Sequence, residues 1–189
     1  TTSAQSRVTF RSQGFVSAVS APPVSQADVA AWFDATYRDK GLGYLRPRRA
    51  YPIFVQLLGL QPGQRHLDVA CGPGHVLTAA RERGLLTSGV DLSEAAIALA
   101  RKLHPGVDAQ VGNAEALPYE GASFDGVTCI GSIERFLDRE RALREMVRVS
   151  KETARFCFLV RNANTLTWRL WRQALGRREV AGHQDAQTM

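Results

Sequence analysis

The sequence predicts an α/β protein built on a doubly wound, mainly parallel sheet. Three observations carry this. The stretch His66-Leu-Asp-Val-Ala-Cys-Gly-Pro-Gly-His-Val-Leu77 reads as an apolar strand, a glycine turn and the start of a helix. Five short strand-like runs alternate with helical periodicity along the chain, and that alternation requires a parallel sheet with crossover helices. Chemically distinctive residues also fall just after each of the first four strands. Open sheets of this kind bind ligands at that edge.

Size and composition suit one globular domain. The 189 residues are 44% hydrophobic and 22% charged, enough for a sizeable core. No apolar run approaches the ~20 residues of a membrane span, and no basic segment followed by an apolar core opens the chain. The first residue is Thr, as expected if an upstream piece has been removed. Cys71, Cys129 and Cys157 are odd in number and lack CxxC spacing, so buried reduced thiols and a cytoplasmic location are expected. The four histidines lack metal-ligand spacing, and no metal is expected. Of the +6 net charge, +4 lies in residues 1–50, +4 in 151–189 and −2 between. The short basic clusters, such as Arg46-Pro-Arg-Arg49, carry no interleaved aromatics. They read as solvated surface and weigh against nucleic acid as a partner.

Residues 1–24, rich in Ser, Thr, Gln and Pro, read as a loosely ordered arm. Residues 25–176 form the domain, divided into a helical preface (25–59) and a core (60–176), and 177–189 read as a polar tail. Ser25-x-x-Asp28 caps a first helix with Val29, Trp32, Phe33 and Tyr37 on one face, ended by Gly41. Gly41–Leu45 reads as a hinge carrying Tyr44. Pro47 is expected to begin a second helix, with Ile53, Phe54, Leu57 and Leu58, that stops at Gly59. After a Gln61-Pro-Gly-Gln turn come the first strand and its helix, which ends near Gly84. Leu86–Asp91 is the second strand and Ser93 caps the next helix. Asp108–Gly112 and Ser123–Ile130 are the third and fourth strands, and Asp138 caps a helix after them. Phe156–Val160 is a fifth, wholly apolar strand, as expected in a sheet covered on both faces. Arg161 opens a final helix carrying Leu166, Trp168, Leu170 and Trp171. No strand candidate follows Val160.

The glycines separate two ligand classes. A dinucleotide fingerprint needs glycine at Ala70, Gly72 and His75, and only one of the three fits. The spacing Asp68-x-Ala70-x-Gly72-x-Gly74 instead resembles the Asp-x-Gly-x-Gly-x-Gly motif of class I S-adenosylmethionine-dependent methyltransferases, with Ala70 in place of the first glycine. Asp91 stands at the end of the second strand, about 20 residues further on, where a carboxylate can accept both hydrogen bonds of a ribose diol. Asn113-Ala-Glu-Ala-Leu-Pro118 is similar to that family's Gly-Asp-Ala-Glu-x-Leu-Pro segment, with Asn113 in place of the acid. Gly131-Ser-Ile-Glu-Arg-Phe-Leu137 resembles its segment after strand four, with Arg135 where many members have His.

The resemblance spans residues 25 to about 165. It implies a Rossmann-like methyltransferase fold with a helical lid, and S-adenosylmethionine as cofactor with S-adenosylhomocysteine as product. It further implies a cofactor site made of Tyr37 and Tyr44 from the lid with Asp68, Ala70, Cys71, Gly72, Gly74, Asp91, Leu92, Asn113, Ala114 and Ile130. Glu134 is the candidate acid or base facing a small-molecule acceptor. The family's usual C-terminal antiparallel hairpin has no counterpart, which leaves a fifth-strand edge expected to be covered by the C-terminal helix, a partner, a second copy or residues absent from this sequence. A catalytically idle cofactor-binding module in regulation or assembly is the alternative. It draws on the departures at Ala70, Asn113 and Arg135.

Overall fold

The structure, a computed structural model, describes residues 25–160. The expected arm at 1–24, the final helix from Arg161 and the tail at 177–189 lie outside the described residues. Helix α1 (Gln26–Lys40) opens on the expected capping box: the backbone N–H of Asp28 donates to the Ser25 hydroxyl, and the Asp28 carboxylate accepts from the Ser25 N–H. Gly41 ends it, and a 3-10 turn (Gly41–Tyr44) follows.

The second helix differs from expectation. Pro47 initiates only a 3-10 turn (Arg48–Ala50), and helix α2 runs from Pro52 to Leu58 with Pro52 in its first turn. Two prolines could each start the helix. The later one wins because it turns Val55 and Leu58 into the core while Ile53 and Leu57 face outward.

The core alternates as expected: β1 (Arg65–Val69), α3 (His75–Arg81), β2 (Leu86–Asp91), α4 (Glu94–Leu103), β3 (Ala109–Val111), β4 (Phe124–Ile130), α5 (Arg139–Val149) and β5 (Ser150–Leu159). The strands lie in the order β3-β2-β1-β4-β5 and every pairing is parallel. The direction of winding reverses beside β1, so the loops after β1 and β4 splay apart there. Leu67, Val69, Val127 and Phe124 are buried from the sheet, against Met146 and Val149 of α5. Leu77, Ile97 and Ala100 from α3 and α4 form a second cluster with Ala109. Each such large side chain contributes ~1.5–3 kcal/mol by burial.

Strand β5 starts six residues before the expected Phe156. Ser150 pairs with Phe124, and residues 151–154 fall in a register shift before Arg155 pairs with Gly126 of β4. Their charges leave the sheet: the Lys151 ammonium meets the Asp125 carboxylate at 2.8 Å, and the Arg155 guanidinium donates to the Gly59 carbonyl at 3.1 Å. Nor is β5 covered on both faces among the described residues. Phe156 is 41% exposed and Phe158 39%. An apolar run alone does not separate a central strand from an edge strand.

Candidate functional site

A cleft of about 340 Å³ opens along the carboxyl edge of the sheet. Its floor is the turn after β1. Ala70 adopts a left-handed backbone (φ 58°), and so does Gly72 (φ 51°). The Cys71 N–H donates to the Val90 carbonyl at 3.0 Å and fixes the turn to β2. A Cβ on Gly72 would stand 2.7 Å from the Tyr37 hydroxyl, so only glycine fits where the lid meets the turn.

Asp91, buried at the end of β2, holds that turn. Its Oδ2 accepts the Gly72 N–H at 2.8 Å and its Oδ1 the Ser93 N–H at 2.9 Å. Burial raises its pKa, and these backbone donors partly offset the rise. Each oxygen keeps a second lone pair for a ligand hydroxyl. Below lies a buried polar chain. The Thr128 hydroxyl donates to Asp68 Oδ1 at 2.5 Å, and His66 Nε2 sits 2.9 Å from the same hydroxyl. Burial pushes Asp68 up to about 7 and His66 down to about 4.

A further loop of the cleft follows β3. Asn113 Oδ1 accepts the Glu115 N–H at 2.8 Å. The buried Glu115 carboxylate accepts the N–H groups of Leu137 and Asp138 at 2.9 and 3.0 Å, tying this loop to the one after β4. That second loop brings Ile130, Gly131, Ser132 and Glu134 to the cleft. Arg135 lies over the Phe33 ring at 5.2 Å and so meets the lid.

The structure brings Tyr37, Asp68, Ala70, Cys71, Gly72, Asp91, Leu92, Asn113, Ala114, Ile130 and Glu134 to one cleft. Gly74 does not line it. Gly74 (φ 81°) is the N-cap of α3, where a Cβ would meet Ala100 and His104 at ordinary contact distances, so glycine serves the left-handed backbone there. The side chain of Tyr44 lies outside the described residues. Sequence reasoning missed Gln26, Arg46, Tyr51 and His75, which also line the cleft. Arg46 approaches Gly131, its Nη1 3.2 Å from where a Cβ would stand. It sits in the basic cluster read as solvated surface, and only the fold distinguishes it from Arg48 and Arg49. No group of three or more metal-ligating side chains occurs among the described residues, and no helix there is long and apolar enough to cross a membrane.

The cleft has the chemistry of a nucleoside site with a charged arm. It offers a buried carboxylate at Asp91 with lone pairs to spare, a glycine cradle that a Cβ would fill, and a cation at Arg46. Among the described residues that line it, Glu134 Oε2, Gln26 Nε2 and His75 Nδ1 are buried without a hydrogen-bond partner. Fold and site together resemble a class I methyltransferase domain. Residues 67–158, just under half of the chain, match the family model described as a methyltransferase domain. The chain is 35% identical over 124 residues to a demethylmenaquinone methyltransferase from Renibacterium salmoninarum, covering 66% of this chain and 52% of that one. It is 33% identical over 138 residues to a ubiquinone biosynthesis O-methyltransferase from Hahella chejuensis, covering 70% and 57%. Among solved structures, an S-adenosylmethionine-dependent methyltransferase from Mesorhizobium loti superposes with a TM-score of 0.52 at 27% identity, covering 57% of this chain and 51% of that one. The chain spans little more than half the length of these curated relatives.

Proposed function

We propose that the cleft binds S-adenosylmethionine and that the protein transfers its methyl group to a small hydroxylated acceptor. The observation that carries this is the convergence of Asp68, Gly72, Asp91, Asn113 and Glu134 on one cavity. Asp91 would accept the ribose hydroxyls, and the loop from Asn113 to Ala114 would take the adenine edge. Asp68 and Arg46 would take the ammonium and carboxylate of the amino-acid arm.

The cofactor supplies a sulfonium-bound methyl group that is already a strong electrophile. The chain's own task is then to align, exclude water and accept a proton. Alignment alone is worth ~7–11 kcal/mol. Tyr37 and Phe33 of α1 screen the cleft from solvent. Glu134 Oε2, buried and unpartnered, would take a proton from an acceptor hydroxyl, and Gln26 Nε2 would donate to an oxygen of the ligand. Val29, Phe33, Leu45 and Phe136 add apolar lining to the cleft, suited to an aromatic ring. The relatives, a demethylmenaquinone methyltransferase and a ubiquinone biosynthesis O-methyltransferase, support the same class.

The idle-module alternative loses its footing. Ala70 adopts the left-handed backbone that the family's glycine would take, and Asn113 keeps an oxygen in the loop. The relatives are named as enzymes. Calorimetric titration with S-adenosylhomocysteine tests binding. Incubation with methyl-labelled S-adenosylmethionine and a panel of catechols and hydroquinones tests transfer. Binding without transfer to any small molecule would restore the module reading. The β5 edge, with Phe156 and Phe158 half-exposed, would take a second chain or the remainder of this one, which sedimentation equilibrium distinguishes.

A further inference from the structure

Helix α1 is joined to the cofactor-binding residues by an unbroken line of hydrogen bonds. Asp34 Oδ1, midway along α1, accepts the Ser93 hydroxyl at 2.5 Å and the Ala95 N–H at 3.0 Å. Ser93 uses the same hydroxyl oxygen to cap α4, accepting the Ala96 N–H at 3.1 Å, and its own N–H donates to Asp91 Oδ1 at 2.9 Å. Asp91 Oδ2 in turn accepts the Gly72 N–H at 2.8 Å. Three residues further along α1, Tyr37 closes over Gly72 itself. One helix therefore grips both ends of the Asp91–Gly72 pair.

Helix α4 already has its own cap in Ser93, so a second carboxylate from a distant helix is not needed to start it. Asp34 also brings a negative charge near buried Asp91, and that charge disfavours ionised Asp91. A contact serving only to dock α1 has no need to run through the residue expected to hold the ribose. The N–H groups at the start of α4 and the helix dipole make the site favourable for a carboxylate, so the bond forms whenever α1 lies down on the sheet.

We infer that Asp34 is a positioning residue: it latches the lid helix to Ser93, and through Ser93 it sets Asp91, so that closing the lid and retaining the cofactor are a single event. This rests on the reading that the cleft holds S-adenosylmethionine. Removing the latch should speed release of the nucleoside without preventing its entry.

The test is the dissociation rate of S-adenosylhomocysteine, measured by stopped-flow displacement well below the thermal transition, with melting curves recorded in parallel. Asp34→Ala should raise that rate about tenfold. Asp34→Asn keeps an acceptor oxygen in place and should stay within threefold of wild type. The double variant Asp34→Ala/Ser93→Ala should be no faster than the faster single variant, because both cut one line. If Asp34→Ala does not fold, Asp34→Ser, whose hydroxyl is too short to reach Ser93, takes its place with the same criterion. A variant that melts lower but releases the ligand within twofold of the wild-type rate overturns the latch and leaves α1 merely docked. Wild-type protein that does not bind S-adenosylhomocysteine overturns the cofactor reading and the latch with it.

Discussion

The Thr128 hydroxyl stands between Asp68 and His66, donating to Asp68 Oδ1 at 2.5 Å and lying 2.9 Å from His66 Nε2. Neither flanking group is exposed, and burial shifts them in opposite directions, Asp68 up to about 7 and His66 down to about 4. A raised carboxyl pKa means that the folded state holds a proton the unfolded state has lost, so its stability contribution falls as pH rises from about 4 to about 7. A lowered imidazole pKa works the other way, adding stability as pH rises from about 4 to about 6.5. The two effects oppose each other over most of that window.

Asp68→Asn removes the falling contribution and leaves the other. The melting temperature of the unliganded variant relative to wild type should rise between pH 4 and pH 7, by on the order of 5 °C, and level off above. Scanning calorimetry at pH 5 and pH 8 checks this. A difference that does not change with pH would show that burial of the Asp68 charge is not the cause. The same variant should bind S-adenosylhomocysteine more weakly at pH 8, so stability and binding move apart.

Ala70 holds φ 58° on a residue with a Cβ, a conformation costing ~1–2 kcal/mol outside glycine. Ala70→Gly relieves that strain but loosens the unfolded chain. The expected net gain is ~0.5–1 kcal/mol in denaturant unfolding, whereas Ala70→Val should lose at least ~1 kcal/mol. A destabilised glycine variant would contradict the strain.

Asn113 already spends its Oδ1 on the Glu115 N–H, leaving a neutral oxygen for any adenine amino group. Asn113→Asp keeps the loop bond and restores a charge-assisted acceptor. Affinity for S-adenosylhomocysteine should improve about threefold to tenfold by calorimetry. Weaker binding would mean that the amide nitrogen, not the oxygen, faces the ligand.

Glu134→Gln keeps the shape of the side chain and removes the base. Turnover of a catechol acceptor should fall ~10²-fold or more, with affinity for S-adenosylhomocysteine unchanged within twofold. Full activity would leave Glu134 as a packing residue and shift attention to Asp68.

Much of this was legible in the sequence because strands and caps are local. The Ser25–Asp28 box, the Ser93 and Asp138 caps and the glycine turn all stand where short-range chemistry puts them. The elements that moved are those decided by packing. Helix α2 begins at Pro52 because Val55 and Leu58 must face inward, and β5 begins at Ser150 because Phe124 of β4 supplies its partner. In the site, loops following strands were readable from their spacing. Gln26 and Arg46, which reach the cleft from the helical preface, were not, nor was the Asp34–Ser93 contact, because no local pattern records how that preface docks. Gly74 shows the converse: its spacing suggests a ligand contact, and its surroundings are Ala100 and His104.

The central claim is that Asp91 is where a nucleoside cofactor is held. Isothermal titration of wild type and Asp91→Ala with S-adenosylhomocysteine tests it directly. Binding to the wild type with at least a tenfold loss in the variant, both proteins folded by circular dichroism, is the predicted result. Equal affinity in the two proteins, or no binding to either, would contradict it.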